Sequence, residues 1–497
     1  MGQDLCVCVY RTEMNMPKAH FQFPKMGFSY VRFGSFYSCC EIKRRMDSLL
    51  MAWNRVLHRS EYDSRYLSIA LPAAWEGLLM ILLSNADLIM VGKLGTAAVA
   101  AVSIFTQPRM MLLTLSRSLA AVLTLLAARH YGRQEPASAG SLMKQTLFFW
   151  GILLAIAHLL FYHCLADILI WMGAENSYLP EALRYAEIAL LAVFFSSMTV
   201  ILQAVPLGFG ETAVVLWINL RGNVFNIIAS AILIFGVGPF PALGVQGAAI
   251  GTVLGAACSL AETVLFLQRK HLFKGEFLPT RAYFRQFLPV FGGVFSEQGC
   301  ERIGMVLYTR MAAELGTVSY AVHAICMNFC DFYYSFAGGL GKANMALAGQ
   351  TCGRKDFKAW KHYLSSGMRW GLIFSILSFI LTFLLREEIF SIYSEDGDAL
   401  ALGTTILVMV AAVSFPEAHA MICSGVLRGS GKTTQVAIYS FLSITLFRPL
   451  ITAFFLYYMG WGLMGAWLAL ALDQTVRAVC SHFLVWRILS QEKKNFF

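Results

Sequence analysis

The segment LGTAAVAAV at residues 94–102 recurs as LGTVSYAVH at residues 315–323, which is 221 positions further along the chain. Other pairs recur in the same order with similar offsets: YGR (131–133) with CGR (352–354), PLGFGET (206–212) with LRGSGKT (427–433), GVQGAAIGT (244–252) with GLMGAWLAL (462–470), and LPAA (71–74) with LPVF (288–291). The sequence therefore indicates an internal duplication.

The composition indicates a membrane protein. The 497 residues are 58% hydrophobic and only 14% charged, whereas a soluble chain is about 45–50% apolar and about 25% charged. A helix that crosses the hydrocarbon core needs about 20 apolar residues, and short polar loops divide this chain into twelve such stretches. The predicted spans are 66–91, 97–128, 145–170, 183–208, 213–237, 245–267, 285–309, 318–350, 366–386, 400–427, 434–458 and 462–488.

The duplication of six spans predicts the fold class, an all-α integral membrane protein with twelve transmembrane helices in two pseudo-symmetric six-helix bundles. An even number of spans per repeat gives both halves the same orientation, with the substrate path between them. The spans leave no room for a soluble catalytic domain, and the sequence holds no clustered metal-ligand or nucleophile set, so we predict that the protein is not an enzyme. The predicted domains are an N-terminal tail (1–65), a first bundle (66–270), a linker (271–284), a second bundle (285–489) and a C-terminal tail (490–497).

The charge pattern orients the spans. Lysine and arginine collect in the N-terminal flank, in the loops that follow the second, sixth and eighth spans, and at the C-terminus, while the alternate loops are poor in both. By the positive-inside rule we expect both termini to lie in the cytoplasm, and we expect the protein in the cell (inner) membrane. Because the basic residues that give the net charge of +10 collect in these loops, the charge is explained without nucleic acid, and we predict no nucleic-acid partner. Met46 and Met51 precede the first span, so either translation starts there and residues 1–45 are not translated, or those residues form a cytoplasmic tail.

Several motifs resemble the multidrug and toxic compound extrusion (MATE) family of secondary transporters over residues 66–489. They are Leu71-Pro72, ADLIMVGKLG (86–95), AAVS (100–103), the loop at 131–133, GVQGAAIGT (244–252) and LRGSGKT (427–433). The resemblance implies two six-helix bundles around a central cavity and export of organic cations and other amphiphiles in exchange for H⁺ or Na⁺. It implies no cofactor besides the transported ion, and we expect a monomer in the lipid bilayer.

The resemblance makes Asp87, Glu297 and Glu417 candidate cation-coupling residues. An ionised group inside a membrane is costly, roughly 2.5–3.5 kcal/mol at a helix centre, so each one requires an explanation. A carboxyl in an apolar cavity binds a proton readily, and its protonated form cannot hold a cationic substrate by charge. Alternatively, Asp87 is solvated or paired with an arginine near the interface. If Glu297 and Glu417 lie near each other in the predicted second bundle, they would either share a proton or hold Na⁺ between their oxygen atoms.

Further candidates surround these acids. Glu76 is either a relay or a residue of the cytoplasmic vestibule, and Asn226 and Asp331 are substrate-site candidates. The resemblance makes Pro72 a hinge, although a proline at the start of a helix explains it equally well. Asp473 and Arg477 are expected to form an i,i+4 pair. His419 is predicted to be a packing residue without a chemical role. Cysteines such as Cys423 are predicted to pack as small hydrophobic residues.

Some positions depart from the family pattern and keep a second function open. Ser230 stands where many members carry Asp or Asn, and Leu207 stands where the second repeat has Arg428. Arg109 and Arg117 in the second span either neutralise buried acids or bind an anionic substrate. The alternative function is that of a lipid-linked oligosaccharide flippase of the same fold superfamily.

Overall fold

The computed structural model describes residues 61–172, 174, 178–273, 275–391 and 397–490. The predicted tails and the alternative translation start fall almost entirely outside the described residues, and the domain boundaries stay predictions.

Each predicted span corresponds to helical structure, and we number the helices by span. They are α1 (Glu61–Gly92), α2 (Thr96–Ile104 and Thr106–Gly132), α3 (Pro136–His163 and Leu165–Trp171), α4 (Leu179–Phe209), α5 (Thr212–Phe235), α6 (Val245–Arg269), α7 (Arg281–Ala313), α8 (Thr317–Arg354), α9 (Phe357–Ser391), α10 (Gly397–Gly429), α11 (Thr433–Tyr458) and α12 (Gly462–Ser490). Two π-helical segments, Phe441–Phe447 and Phe454–Tyr458, interrupt α11. The described chain contains helices and no strands, which confirms the predicted fold class.

Ten of these helices are long and apolar enough to cross a membrane. The two that fall short, α7 and α8, carry polar and charged residues inside their apolar sequence, including Glu297, Glu301 and Asp331. Because charged residues inside membrane helices usually serve a function, this departure directs attention to α7 and α8. The chain is a multi-pass membrane protein.

The two halves pack by the same scheme. In the first half α1 packs on α5, α2 on α4, and α4 on α6; in the second half α7 packs on α11, α8 on α10, and α10 on α12. The halves meet through α1 with α8, α7 with α2, and α2 with α8, which are the contacts that a two-fold relation between the repeats requires.

Glycines in the repeated segments take matching backbone conformations. Gly95 and Gly316 precede α2 and α8 with φ angles of 111° and 92°, and Gly210 and Gly431 follow α4 and α10 with φ angles of 86° and 80°. Positive φ is strained for other residues. The matched geometry explains why glycine stands at these positions of both repeats.

The crossing of α2 and α8 lies on the pseudo-two-fold axis. A methyl group on Gly132 would overlap the backbone of Gln350, and a methyl group on Gly353 would overlap the backbone of Arg129. Gly132 and Gly353 are related by the repeat offset of 221, and so are Arg129 and Gln350. Gln350 also donates to the carbonyl of Gly208 at 2.9 Å, so this end of the molecule is tightly closed.

We expect Gly353→Val to destabilise the protein by about 1–3 kcal/mol, because its side chain would force the two backbones apart. Thermal unfolding of the purified protein in detergent measures the effect. Gly292→Val is the matched control, since a Cβ atom at Gly292 meets nothing within 4 Å. Equal destabilisation by both variants would contradict the close crossing.

Hydrophobic clusters show where the halves join and where they separate. One cluster, which includes Leu123 and Phe287, joins α2, α3 and α4 to α7. Another, which includes Tyr66 and Leu347, joins α1 to α8. Both lie toward the end that carries the α2–α8 crossing. Toward the opposite end, each described cluster belongs to a single half. The halves are therefore joined at one end and enclose a cleft that widens toward the other.

Candidate functional site

Asp87 lies near the end of α1, in the part of the first half that borders the wide end of the cleft. Its Oδ2 accepts a hydrogen bond from Asn226 Nδ2 on α5 at 2.8 Å. Asn226 Oδ1 in turn accepts from the Ser230 hydroxyl at 2.9 Å. The other Asp87 oxygen, Oδ1, is buried and has no hydrogen-bond partner in the described structure.

Ser230 and Arg109, two residues that depart from the family pattern, lie near Asp87. Ser230 does not interrupt the polar network, because its hydroxyl supports the amide that binds Asp87. Arg109 on α2 lies close enough to interact electrostatically with Asp87, yet no ion pair joins them among the described residues. Asp87 therefore sits beside a cation without being held by it.

In the second half, Glu417 on α10 resembles Asp87 because it also has a buried carboxylate oxygen without a partner among the described residues. The residue follows Pro416, which lies inside the helix, and is only 2% exposed. Its Oε2 atom is buried and finds no hydrogen-bond partner in the described chain. Charged groups that act on it are Arg477, Arg448, Asp331 and Glu301. This cluster surrounds Glu417 without pairing it.

Glu297 differs from these two acids because Arg428 holds it in a two-pronged ion pair. Arg428 Nε donates to Glu297 Oε2 at 3.0 Å, and Arg428 Nη2 donates to Oε1. Glu297 is 3% exposed. Among the described residues, no group of three or more potential metal ligands includes Glu297 or Glu417. A coupling or Na⁺ role for Glu297 stays a prediction, and its position is that of a paired acid.

The predicted pair of Asp473 with Arg477 is wrong. Asp473 binds Arg448 of α11, whose Nε lies 2.9 Å from Asp473 Oδ2, and Ser443 also donates to it. Both charged residues are almost fully buried. The π-helical segment Phe441–Phe447 directly precedes Arg448. The signal was present in the sequence, because Arg448 is the only charged residue in the span 434–458 and a lone buried cation needs an acid.

Residues from both halves face the central cleft. Arg117 on α2, Arg302 on α7, and Asp331 and Tyr334 on α8 are exposed, and Arg117 interacts electrostatically with Arg302 and Tyr334. The Tyr334 hydroxyl donates to Glu301 at 3.0 Å. Asp331 and Arg302 interact without forming an ion pair among the described residues. The cleft thus presents both signs of charge.

Glu76 and Pro72 come before Asp87 in α1 and lie nearer the closed end of the cleft. Glu76 accepts a hydrogen bond from Asn219 at 2.6 Å and lies 3.9 Å from the Lys342 ammonium of the other half. Pro72 is buried inside α1, eleven residues after the helix begins at Glu61. Its interpretation as a helix-start proline is therefore wrong, and the hinge stays a prediction.

The comparisons with known proteins agree with this architecture. The MatE family model matches residues 72–232 and 294–454, one match in each half. The probable multidrug resistance protein NorM of Thermotoga maritima is 24% identical over 84% of this chain and 91% of its own. A mutant of the Vibrio cholerae MATE transporter VcmN superposes with a TM-score of 0.82 at 18% identity, covering 88% of this chain and 98% of that chain.

A third neighbour is a MOP-superfamily transporter of Pyrococcus furiosus, described as having a binding pocket of reverse polarity. It superposes with a TM-score of 0.81 at 19% identity and covers 88% of this chain and 98% of that chain. The fold and the paired matches define a membrane transporter built from two repeats. The chain belongs to the MATE family.

Proposed function

We propose that this MATE-family transporter is an antiporter that exports organic cations and related amphiphiles in exchange for H⁺ or Na⁺. One observation carries the proposal: Asp87 and Glu417, one in each half, both keep a buried carboxylate oxygen without a hydrogen-bond partner. A buried carboxylate without a partner is unfavourable when ionised. Each group is therefore suited to take up a cation or proton in this conformation and to release it in another.

Two other buried acids, both in the second half, support this assignment by contrast. Glu297 and Asp473 are held by Arg428 and Arg448, so their charge is neutralised by a fixed partner. We assign them to the stability of the second half. Asp331 is exposed in the cleft and interacts with Glu417, which gives Glu417 a polar route to the substrate space.

The orientation of the cleft fits export. The closed end carries Arg65 and Arg129, which belong to segments that the charge pattern predicts to be cytoplasmic, and the wide end faces the opposite side. In our proposal the protein lies in the cell membrane with both termini in the cytoplasm, works as a monomer, and needs no cofactor besides the transported ion. Substrate enters when the α2–α8 crossing opens and the halves close at the other end.

The test is efflux of ethidium, a fluorescent organic cation, from proteoliposomes that contain the purified protein. A pH gradient and a Na⁺ gradient are imposed separately, with protein-free liposomes as the reference. We expect one of the two gradients to drive ethidium uphill. If neither gradient drives movement beyond the protein-free rate, cation-coupled export is wrong.

A second candidate function rests on the arginines of the cleft. Arg117 and Arg302 lie on opposite halves, and neither takes part in an ion pair among the described residues. Two unneutralised guanidinium groups favour an anionic substrate, which is the chemistry of a flippase for lipid-linked oligosaccharides. The nearby acids Asp331 and Glu301 favour the antiporter.

Substitution of Arg117 distinguishes the two candidates. If ethidium is the kind of substrate that the cleft carries, Arg117→Met should raise its efflux severalfold, because the change removes a like charge from its path. Arg285→Met, at the exposed start of α7, is the matched control. A loss of ethidium efflux in Arg117→Met, or a gain of equal size in the control, would contradict the prediction.

A further inference from the structure

A cluster of three metal-ligating side chains lies outside the proposed transport site. His419 and Cys423 stand one turn apart on α10, and His482 faces them from α12. His419 Nε2 lies 3.1 Å from His482 Nδ1, and the ligand atoms of all three residues lie within 4.8 Å of one another. In the described part of the chain, this is the one group of three or more His, Cys, Asp or Glu residues with that geometry.

The spacing of the two imidazole nitrogens matches what a metal ion requires. Zn²⁺ binds histidine nitrogen at about 2.0–2.1 Å and cysteine sulfur at about 2.3 Å in a tetrahedral arrangement, which separates two nitrogen ligands by roughly 3.3 Å. The observed 3.1 Å is close to that value.

The surroundings argue against simple packing as the reason for these residues. The cluster borders a groove of about 770 Å³ between α9, α10 and α12, whose lining is mostly apolar and includes Leu372, Phe415 and Phe483. Cys423 is buried, whereas His482 is exposed to the groove. Polar residues inside membrane helices are costly and usually have a function. Packing in an apolar groove therefore does not explain two facing imidazoles beside a thiol.

We propose that His419, Cys423 and His482 form a binding site for a transition metal of the Zn²⁺ class. Nitrogen and sulfur ligands select Zn²⁺ and similar ions over Mg²⁺ or Ca²⁺. On binding, the imidazole whose N–H lies between the two rings shifts that proton to its other ring nitrogen, so that both facing nitrogens are free to ligate, and the Cys423 thiol loses its proton to solvent. The three residues leave a fourth coordination position, which the groove makes accessible. A bound ion joins α10 to α12, the helices that carry Glu417 and Arg477.

The test uses Co²⁺ as a spectroscopic substitute for Zn²⁺, with the protein purified in detergent through an affinity tag that contains no histidine. We expect one equivalent of Co²⁺ to produce a thiolate-to-cobalt charge-transfer band, and Zn²⁺ to remove that band. Cys423→Ser should abolish the band and weaken Zn²⁺ binding by about 100-fold or more. Cys480→Ser, which removes a neighbouring thiol of α12, should leave both unchanged.

A second variant keeps the test decisive if Cys423→Ser fails to fold. His482→Gln changes an exposed side chain and should preserve folding while removing a nitrogen ligand. Zn²⁺ should raise the thermal unfolding temperature of the wild type and of Cys480→Ser, and not that of His482→Gln. The proposal is wrong if the wild type gives no charge-transfer band, or if Cys423→Ser and His482→Gln keep wild-type Zn²⁺ affinity.

Discussion

Asp87→Asn is expected to abolish the coupled part of ethidium efflux in proteoliposomes. The amide keeps the size of the side chain and its contact with Asn226, but it can neither bind a proton nor attract a cation. Exchange of one coupling ion for one ethidium cation moves no net charge, so the driving force is the gradient of that ion, and a tenfold gradient contributes about 1.4 kcal/mol. Loss of coupling should therefore reduce the steady-state ethidium gradient by about 10-fold when a tenfold ion gradient is imposed.

The control for this experiment is Glu262→Gln. Glu262 is also an acid of the first half, but it forms an exposed pair with Arg221 and borders neither the cleft nor Asp87. The gradient should remain at the wild-type level in Glu262→Gln. Retention of the full gradient in Asp87→Asn, with the protein correctly inserted, would refute the coupling role of Asp87.

Asp473→Asn is expected to have the largest effect on stability. The substitution removes the charge that neutralises Arg448, and Arg448 is 2% exposed. Leaving a buried charge without its partner costs about 3–5 kcal/mol. Thermal unfolding of the detergent-solubilised protein should show a large decrease in the unfolding temperature.

The double variant Asp473→Asn with Arg448→Met tests the physical cause. Without Arg448 no buried cation remains, so the double variant should regain most of the stability that the single variant loses. The control is Glu211→Gln, whose exposed pair with Lys270 should contribute less than about 1 kcal/mol. If the double variant is less stable than Asp473→Asn alone, the charge-pair explanation is wrong.

The fold was predictable because it depends on features that read directly along the chain. The apolar spans, the alternation of basic loops and the repeated glycine segments specify twelve helices in two related halves. The glycines were informative because Gly95 and Gly316 need the same unusual backbone angle. A requirement of the backbone survives duplication even where the side chains around it have diverged.

The pairing of the charged residues was less predictable, because it depends on the rotation of each helix and on contacts between distant segments. Asp473 and Arg477 satisfy the i,i+4 rule within α12, yet Arg448 approaches Asp473 from α11 after a π-helical segment that changes the register. Glu297 and Glu417 were equal candidates in the sequence. Only the structure distinguishes them, because Arg428 reaches Glu297 and leaves Glu417 unpaired.

The central claim is that Asp87 and Glu417 bind a cation that the substrate displaces. The direct measurement is a titration of the purified protein with ethidium in a weakly buffered solution, which records H⁺ release and the displacement of radioactive sodium. We predict that the wild type releases one of these cations on binding ethidium, that Asp87→Asn and Glu417→Gln each release less, and that the double variant releases none. Release from the double variant equal to that of the wild type would contradict the claim.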